Sequence, residues 1–270
     1  MMQKKLRVGI AGFGSIGKGV AKALDEGRAG YTLAAIAVRE PLSPPPMIWQ
    51  NAEPIITDIA GLATLCDIVI ECAPSNLLES IAAPALRLGK TVVVLSSTGL
   101  LALPHLGVIA RENGGRIIVP SGGIAGLDAL AAAAEGELYS VKMVTRKPPE
   151  SLAGAPYLVD NGIDVNIMTE PTRIFSGSPR DAALLFPANV NVLASVALAG
   201  MGPDLTEYEI WAVPGLQYNT HTVIVNSSAS RFTMSIENVP SRDNPRTGVL
   251  SIYSVLAVLD RLISHLRVGT

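Results

Sequence analysis

The chain has 270 residues, with 21 basic against 23 acidic side chains and a hydrophobic fraction of 49%. That length suffices for one large or two moderate domains with packed cores. The near-neutral charge balance excludes the basic footprint of a nucleic-acid binder or a polybasic membrane anchor, so a small-molecule role in the cytoplasm is expected.

The first predicted element is an apolar strand over 6–11, followed by Gly12-x-Gly14-x-x-Gly17 and a helix through Val20, Ala21 and Leu24. In a dinucleotide-binding turn the first glycine permits the tight strand-to-helix corner. The second lets backbone approach a pyrophosphate, and the third lets the helix pack on the strand. The helix start adds free N–H groups and partial positive charge. Gly12, Gly14, Ser15, Ile16 and Gly17 are therefore candidate cofactor-binding residues. Lys4, Lys5 and Arg7 before this apolar run mimic a signal peptide, but the glycine pattern accounts for the same residues and no export is expected.

A second strand over 33–38 runs into Arg39, where such folds ordinarily carry an acidic residue for the adenosine ribose. Arg39 either faces a 2′-phosphate, favouring NADP or the use of both NAD and NADP, or is a solvated surface arginine. SPPP at 43–46 reads as a loop at the rim of the cofactor site. Further buried strands are predicted over 68–72, 91–95 and 116–119, with helical spacing over 76–88 and 103–113 stopped by Gly89 and Gly114. This alternation predicts an α/β, Rossmann-type doubly wound parallel sheet that binds ligands at the carboxyl ends of its strands. Ala73, Pro74 and Ser97 lie in the loops after two of those strands and join the cofactor candidates, although serines there also serve as helix caps. Cys66 and Cys72, in CDIVIEC, match neither a metal pattern nor a redox pair, and no metal site is expected.

After Pro120, SGGIAGLDAL reads as a glycine loop opening a helix. Strand-like segments follow at 138–145, 207–212, 220–226 and 231–236, with a buried helix over 182–199. The uncharged stretches 91–110 and 182–203 are long enough for a membrane span, but Pro104, Pro187, Asn189 and Asn191 are among the residues that break them. The tail from Gly248 to Leu266 has the spacing of an amphipathic helix. The expected organisation is a dinucleotide-binding domain over 1–120, to which 246–270 returns, and an α+β substrate domain over 121–245.

Among the three histidines, His221 differs in sitting within the polar run Tyr218-Asn219-Thr220-His221-Thr222. A lone histidine is more often structural than catalytic, and spacing alone leaves its role open.

GFGSIG, ECAPS, SSTGLL, IVPSGGIAGLDAL, VTRKPP, FPANVNVLASVALAG, NTHT and ENVPSRDNPRTG together resemble the L-aspartate dehydrogenase family over nearly the whole chain. The resemblance implies oxidation of L-aspartate by NAD or NADP to iminoaspartate, then oxaloacetate and ammonia, linked to NAD biosynthesis. It also implies His221 as acid/base, Ala125 and Asn191 at the nicotinamide end of the cofactor, and a substrate with two carboxylates, for which the backbone amides of Ser121, Gly122 and Gly123, the charged Arg146 and Lys147, and Asn219 are candidate partners. A homodimer through the sheet of the second domain is expected beside it. One departure is Val213, where the family pattern has Asp before the proline; it bears on the orientation of the nearby histidine or on substrate preference. Two rival readings stand beside this one: another dehydrogenase of small amino or hydroxy acids, and a nucleotide-sensing regulator without turnover.

Overall fold

The computed structural model describes residues 5–39, 47–51, 53–186, 190–239 and 248–269. Met1–Pro120 with Ser251–His265 forms one compact unit, and Ser121–Leu250 with Leu266–Thr270 forms a second.

The first unit is built on a parallel sheet of β1 (Leu6–Ala11), β2 (Tyr31–Ala37), β3 (Ile55–Thr57), β4 (Ile68–Glu71), β5 (Thr91–Val94) and β6 (Arg116–Ile118), in the order β3-β2-β1-β4-β5-β6. Its central strands are continuous aliphatic runs because both faces are covered: Val8, Ile10, Val69, Ile70, Val92 and Val93 have no exposed surface. The helices are α1 (Ser15–Asp25), α2 (Ile59–Leu65), α3 (Leu78–Arg87), α4 (Ser97–Ala102) and α5 (His105–Asn113). One apolar cluster gathers α2, α3 and α5; the other gathers α1 and the chain's last helix. The expected helix over 103–113 is therefore preceded by a separate turn of helix, α4. Gly89 and Gly114 adopt the left-handed conformation that ends a helix, each with φ of 68°.

The second unit contains α6 (Leu127–Ala134), β7 (Leu138–Lys147), α7 (Pro156–Asp160), β8 (Thr172–Gly177), α8 (Pro179–Leu185), α9 (Asn191–Ala199), β9 (Glu207–Ala212), β10 (Asn219–Ser227) and β11 (Arg231–Asn238). Its sheet runs β11-β10-β7-β9-β8, with β7 and β9 parallel and the other pairs antiparallel. The single helix expected over 182–199 is two helices. Phe186 leaves helical geometry with φ −134° and ψ 54°, as the residue before a proline tends to. The proline itself, Pro187, and Asn189 lie outside the described residues, as do the SPPP loop and most of SRDNPRTG.

α10 (Val249–Ile263) closes the chain on the first unit. Val255 and Leu259 are fully buried against Val8, Ile10, Val20 and Tyr31, and the Tyr31 hydroxyl donates to the Leu259 carbonyl. The return is shorter than 246–270. The Val249 N–H donates to the Val239 carbonyl of the second unit, and the last residues belong there as well. No helix among the described residues is long and apolar enough to cross a membrane.

Candidate active site

The strand order reverses between β1 and β4, so the crevice of the first unit opens where Ala11 and Glu71 end. The three glycines have distinct surroundings there. A Cβ on Gly12, whose φ is +93°, would lie 2.7 Å from the Cys72 carbonyl oxygen, and one on Gly17 would lie 2.2 Å from the Gly12 oxygen. Backbone packing thus requires both. A Cβ on Gly14 would meet no protein atom within 4 Å. The space at Gly14 is open, which is what a pyrophosphate-approaching glycine demands. Gly14 also caps α1 without a side-chain hydrogen bond, so no capping side chain competes for the helix-start N–H groups near Ser15, Ile16 and Gly17. These residues fit a pyridine nucleotide.

The loops after β4 and β5 are tied together by a residue the motif reading missed. Glu71 is fully buried; its Oε1 accepts from Ala73 N–H at 2.9 Å, and its Oε2 accepts from Ser96 N–H at 3.0 Å and the Ser96 hydroxyl at 2.7 Å. Burial raises its pKa while these donors oppose the shift. Ala73, Pro74 and the buried Ser97 therefore sit in loops that share one carboxylate. Arg39 is exposed two residues beyond β2.

In the second unit one sheet face carries Val141, Met143, Thr145 and Lys147 of β7, His221, Val223 and Val225 of β10, and Tyr208, Ile210 and Ala212 of β9, all buried. Most of that face is apolar core under Leu130, Leu193 and Val196. Its end is polar. His221 is directly opposite Thr145, and its Nδ1 lies 3.0 Å from the Thr145 hydroxyl. Burial, reinforced by the charge of Lys147, pushes the imidazole down to about 3, so it is neutral near pH 7. Burial likewise pushes Lys147 down to about 8.

Asn219 belongs to the same strand end and pairs with Asn238 of β11. The Asn238 amide donates to the Gly123 carbonyl at 2.8 Å, tethering the glycine loop 121–126, while its Oδ1 is buried with no hydrogen-bond partner among the described residues. The structure thus gathers His221, Lys147, Asn219 and the Ser121–Gly123 loop through Thr145 and Asn238, two residues that sequence reading did not single out. It does not gather Arg146, which alternation turns to the opposite, exposed side of β7. Ala125 is exposed in the glycine loop, and Asn191 is the exposed first residue of α9. The Val213 N–H donates to the Lys147 carbonyl at 2.9 Å, which puts the departing position beside this lysine. Neither thiol is activated: burial pushes Cys66 up to about 11 and raises Cys72 further.

Comparison with known proteins agrees with this geometry. The family description "Aspartate dehydrogenase, C-terminal" matches residues 128–262, and "Homoserine dehydrogenase, NAD binding domain" matches 12–120. An L-aspartate dehydrogenase of Bradyrhizobium diazoefficiens is 49% identical over 98% of this chain and 95% of its own. L-aspartate dehydrogenase 3 of Bordetella bronchiseptica is 45% identical over 99% of both. The crystal structure of aspartate dehydrogenase from Thermotoga maritima superposes with a TM-score of 0.77 at 24% identity, covering 98% of this chain and 99% of that one; it shares the fold.

These matches, over a chain that carries a strand–glycine turn–helix crevice and a histidine-bearing α+β unit, define a pyridine-nucleotide-dependent oxidoreductase acting on CH–NH2 groups. Within that class, the chain belongs to the aspartate dehydrogenase family.

Proposed function

We propose that this protein oxidises L-aspartate with NAD⁺ or NADP⁺ to iminoaspartate, which water converts to oxaloacetate and ammonia or which is drawn into NAD biosynthesis. His221 carries the reading: a neutral imidazole at the polar end of an otherwise apolar sheet face, held through Nδ1 by Thr145, in a chain 49% identical to an L-aspartate dehydrogenase. The first unit serves as the dinucleotide-binding domain and the second as the substrate domain. Bound NAD(P)⁺ supplies a hydride acceptor for the substrate's α-carbon. Gly12, Gly14, Ser15, Ile16, Gly17, Ala73, Pro74 and Ser97 hold it, with Ala125 and Asn191 toward its nicotinamide.

The protein's own groups manage charge and protons. Lys147 and the amides of Ser121–Gly123 take the substrate carboxylates, and Asn219 orients the bound molecule. The arriving negative charge offsets the effect of Lys147 on His221 and raises the imidazole toward the range where it exchanges protons efficiently. His221 then removes a proton from the α-ammonium before hydride leaves and passes it to solvent; the freed imidazole takes a second proton from the water that attacks the imine and returns it to the nitrogen that departs as ammonia.

Absence of reduced cofactor with L-aspartate, against its formation with another member of a panel of amino and hydroxy acids, overturns this substrate assignment. Arg39 tilts the choice toward NADP. Arg39→Asp is expected to shift the ratio of kcat/KM values toward NAD, and an unchanged ratio leaves Arg39 a surface charge. A homodimer in the cytoplasm completes the reading, with Ile224, 41% exposed on the open face of the second sheet, a candidate contact that sedimentation of an Ile224→Lys variant tests.

A further inference from the structure

The imidazole of His221 is neutral over the working range, so one ring nitrogen carries hydrogen and the other a lone pair; only the lone pair can accept a proton. Geometry shows which nitrogen is held inside the protein. Nδ1 is 3.0 Å from the hydroxyl of Thr145, which has no exposed surface and stands directly across the ladder from His221. Neighbouring backbone pairing holds both residues: Thr222 pairs with Val144, and Val223 with Met143. On the adjoining strand Tyr208 lies opposite Met143, its hydroxyl buried with no hydrogen-bond partner among the described residues. Burial raises the pKa of that phenol, and the side chain that opposes the shift is Thr145.

We infer that Thr145 is a positioning residue that fixes the tautomer of His221: Nδ1–H donates to the Thr145 oxygen, the Thr145 hydroxyl points at Tyr208, and Nε2 is left as the bare nitrogen facing the reactant. The inference rests on His221 being the acid/base. A proton accepted at Nε2 makes an imidazolium whose Nδ1–H still has its acceptor, so Thr145 supports both protonation states. Without the hydroxyl, the neutral ring divides between tautomers and orientations, and the fraction competent to accept a proton falls.

Thr145→Val keeps the shape and removes the hydroxyl, while Thr145→Ser keeps the hydroxyl. The expected result is a kcat about tenfold or more lower in Thr145→Val, within the range general-base catalysis supplies. The acid limb of its pH profile should be displaced, cofactor affinity unchanged, and kcat largely restored in Thr145→Ser. Nitrogen-15 NMR of the full-length protein, with the His221 signals assigned by their loss in His221→Ala, reads the tautomer without reference to turnover. Protonated Nδ1 in the parent and tautomer exchange in Thr145→Val support the inference. Protonated Nε2 in the parent, or parental kcat and pH profile in Thr145→Val, overturns it. If His221→Ala retains full turnover while the NMR shows protonated Nδ1, the acid/base reading fails and the tautomer assignment stands.

Discussion

At the residue scale, the glycines of the first turn separate ligand requirements from folding requirements. Gly14 has open space where a side chain would go, so Gly14→Val is expected to leave thermal stability near the parent's while weakening cofactor binding about tenfold or more by intruding on the pyrophosphate. Gly17→Ala should do the reverse first, because its Cβ meets backbone at 2.2 Å and the strand–helix contact must open. Calorimetric titration and melting of the two variants check this contrast. His221→Ala is expected to reduce turnover by roughly 10²–10⁴-fold with cofactor affinity retained. It should also alter acid stability. The folded state keeps this imidazole neutral down to about pH 3, whereas the unfolded chain takes up a proton near 6.5. Acid therefore favours unfolding: the contribution is fully present above about pH 6.5 and lost as pH falls toward 3. Urea unfolding across that window should show the parent losing about 1.4 kcal/mol per pH unit more than the variant.

At the element scale, the loops after β4 and β5 depend on one carboxylate. In Glu71→Gln an NH2 group replaces an acceptor oxygen and confronts N–H donors of Ala73 or Ser96, at a cost of about 1–3 kcal/mol. Both loops border the crevice, so the variant is expected to melt lower and bind cofactor more weakly, with a smaller change in KM for the amino acid. Equal changes in both binding constants would mark Glu71 as a general stabiliser only. The strand positions of these elements were legible because fully buried parallel strands are written as aliphatic runs such as TVVV and IVIE. β3 and β8 escaped notice: β3 has only three residues, and the exposed Thr172 and Arg173 open β8 with no apolar alternation.

At the scale of the whole molecule, the first unit is discontinuous in sequence. A fragment ending at Pro120 lacks Val255 and Leu259, whose burial covers one face of the sheet. Each such side chain contributes about 1.5–3 kcal/mol, a large part of a domain's marginal stability. The fragment is expected to melt without cooperativity by circular dichroism, and a fusion of 1–120 to 248–270 through a flexible linker to regain a cooperative transition. A cooperative melt of 1–120 alone would show that α10 is dispensable to that core.

Local pattern determined the parallel alternation of strands and helices, the glycine turn, the amphipathic tail and the polar setting of His221, because each is written within one element and its immediate neighbours. The role proposed for His221 rests on the many motifs shared with a family, which a lone histidine could not supply. Only the tertiary structure decided what surrounds it. Thr145 meets His221 across 76 positions of sequence through strand register, Asn238 reaches Gly123 across 115, and Lys147 turns inward while Arg146 turns out. Alternation requires those two basic side chains to part, but which one enters the site depends on the face the sheet buries. That choice belongs to long-range packing, which no local window of sequence contains.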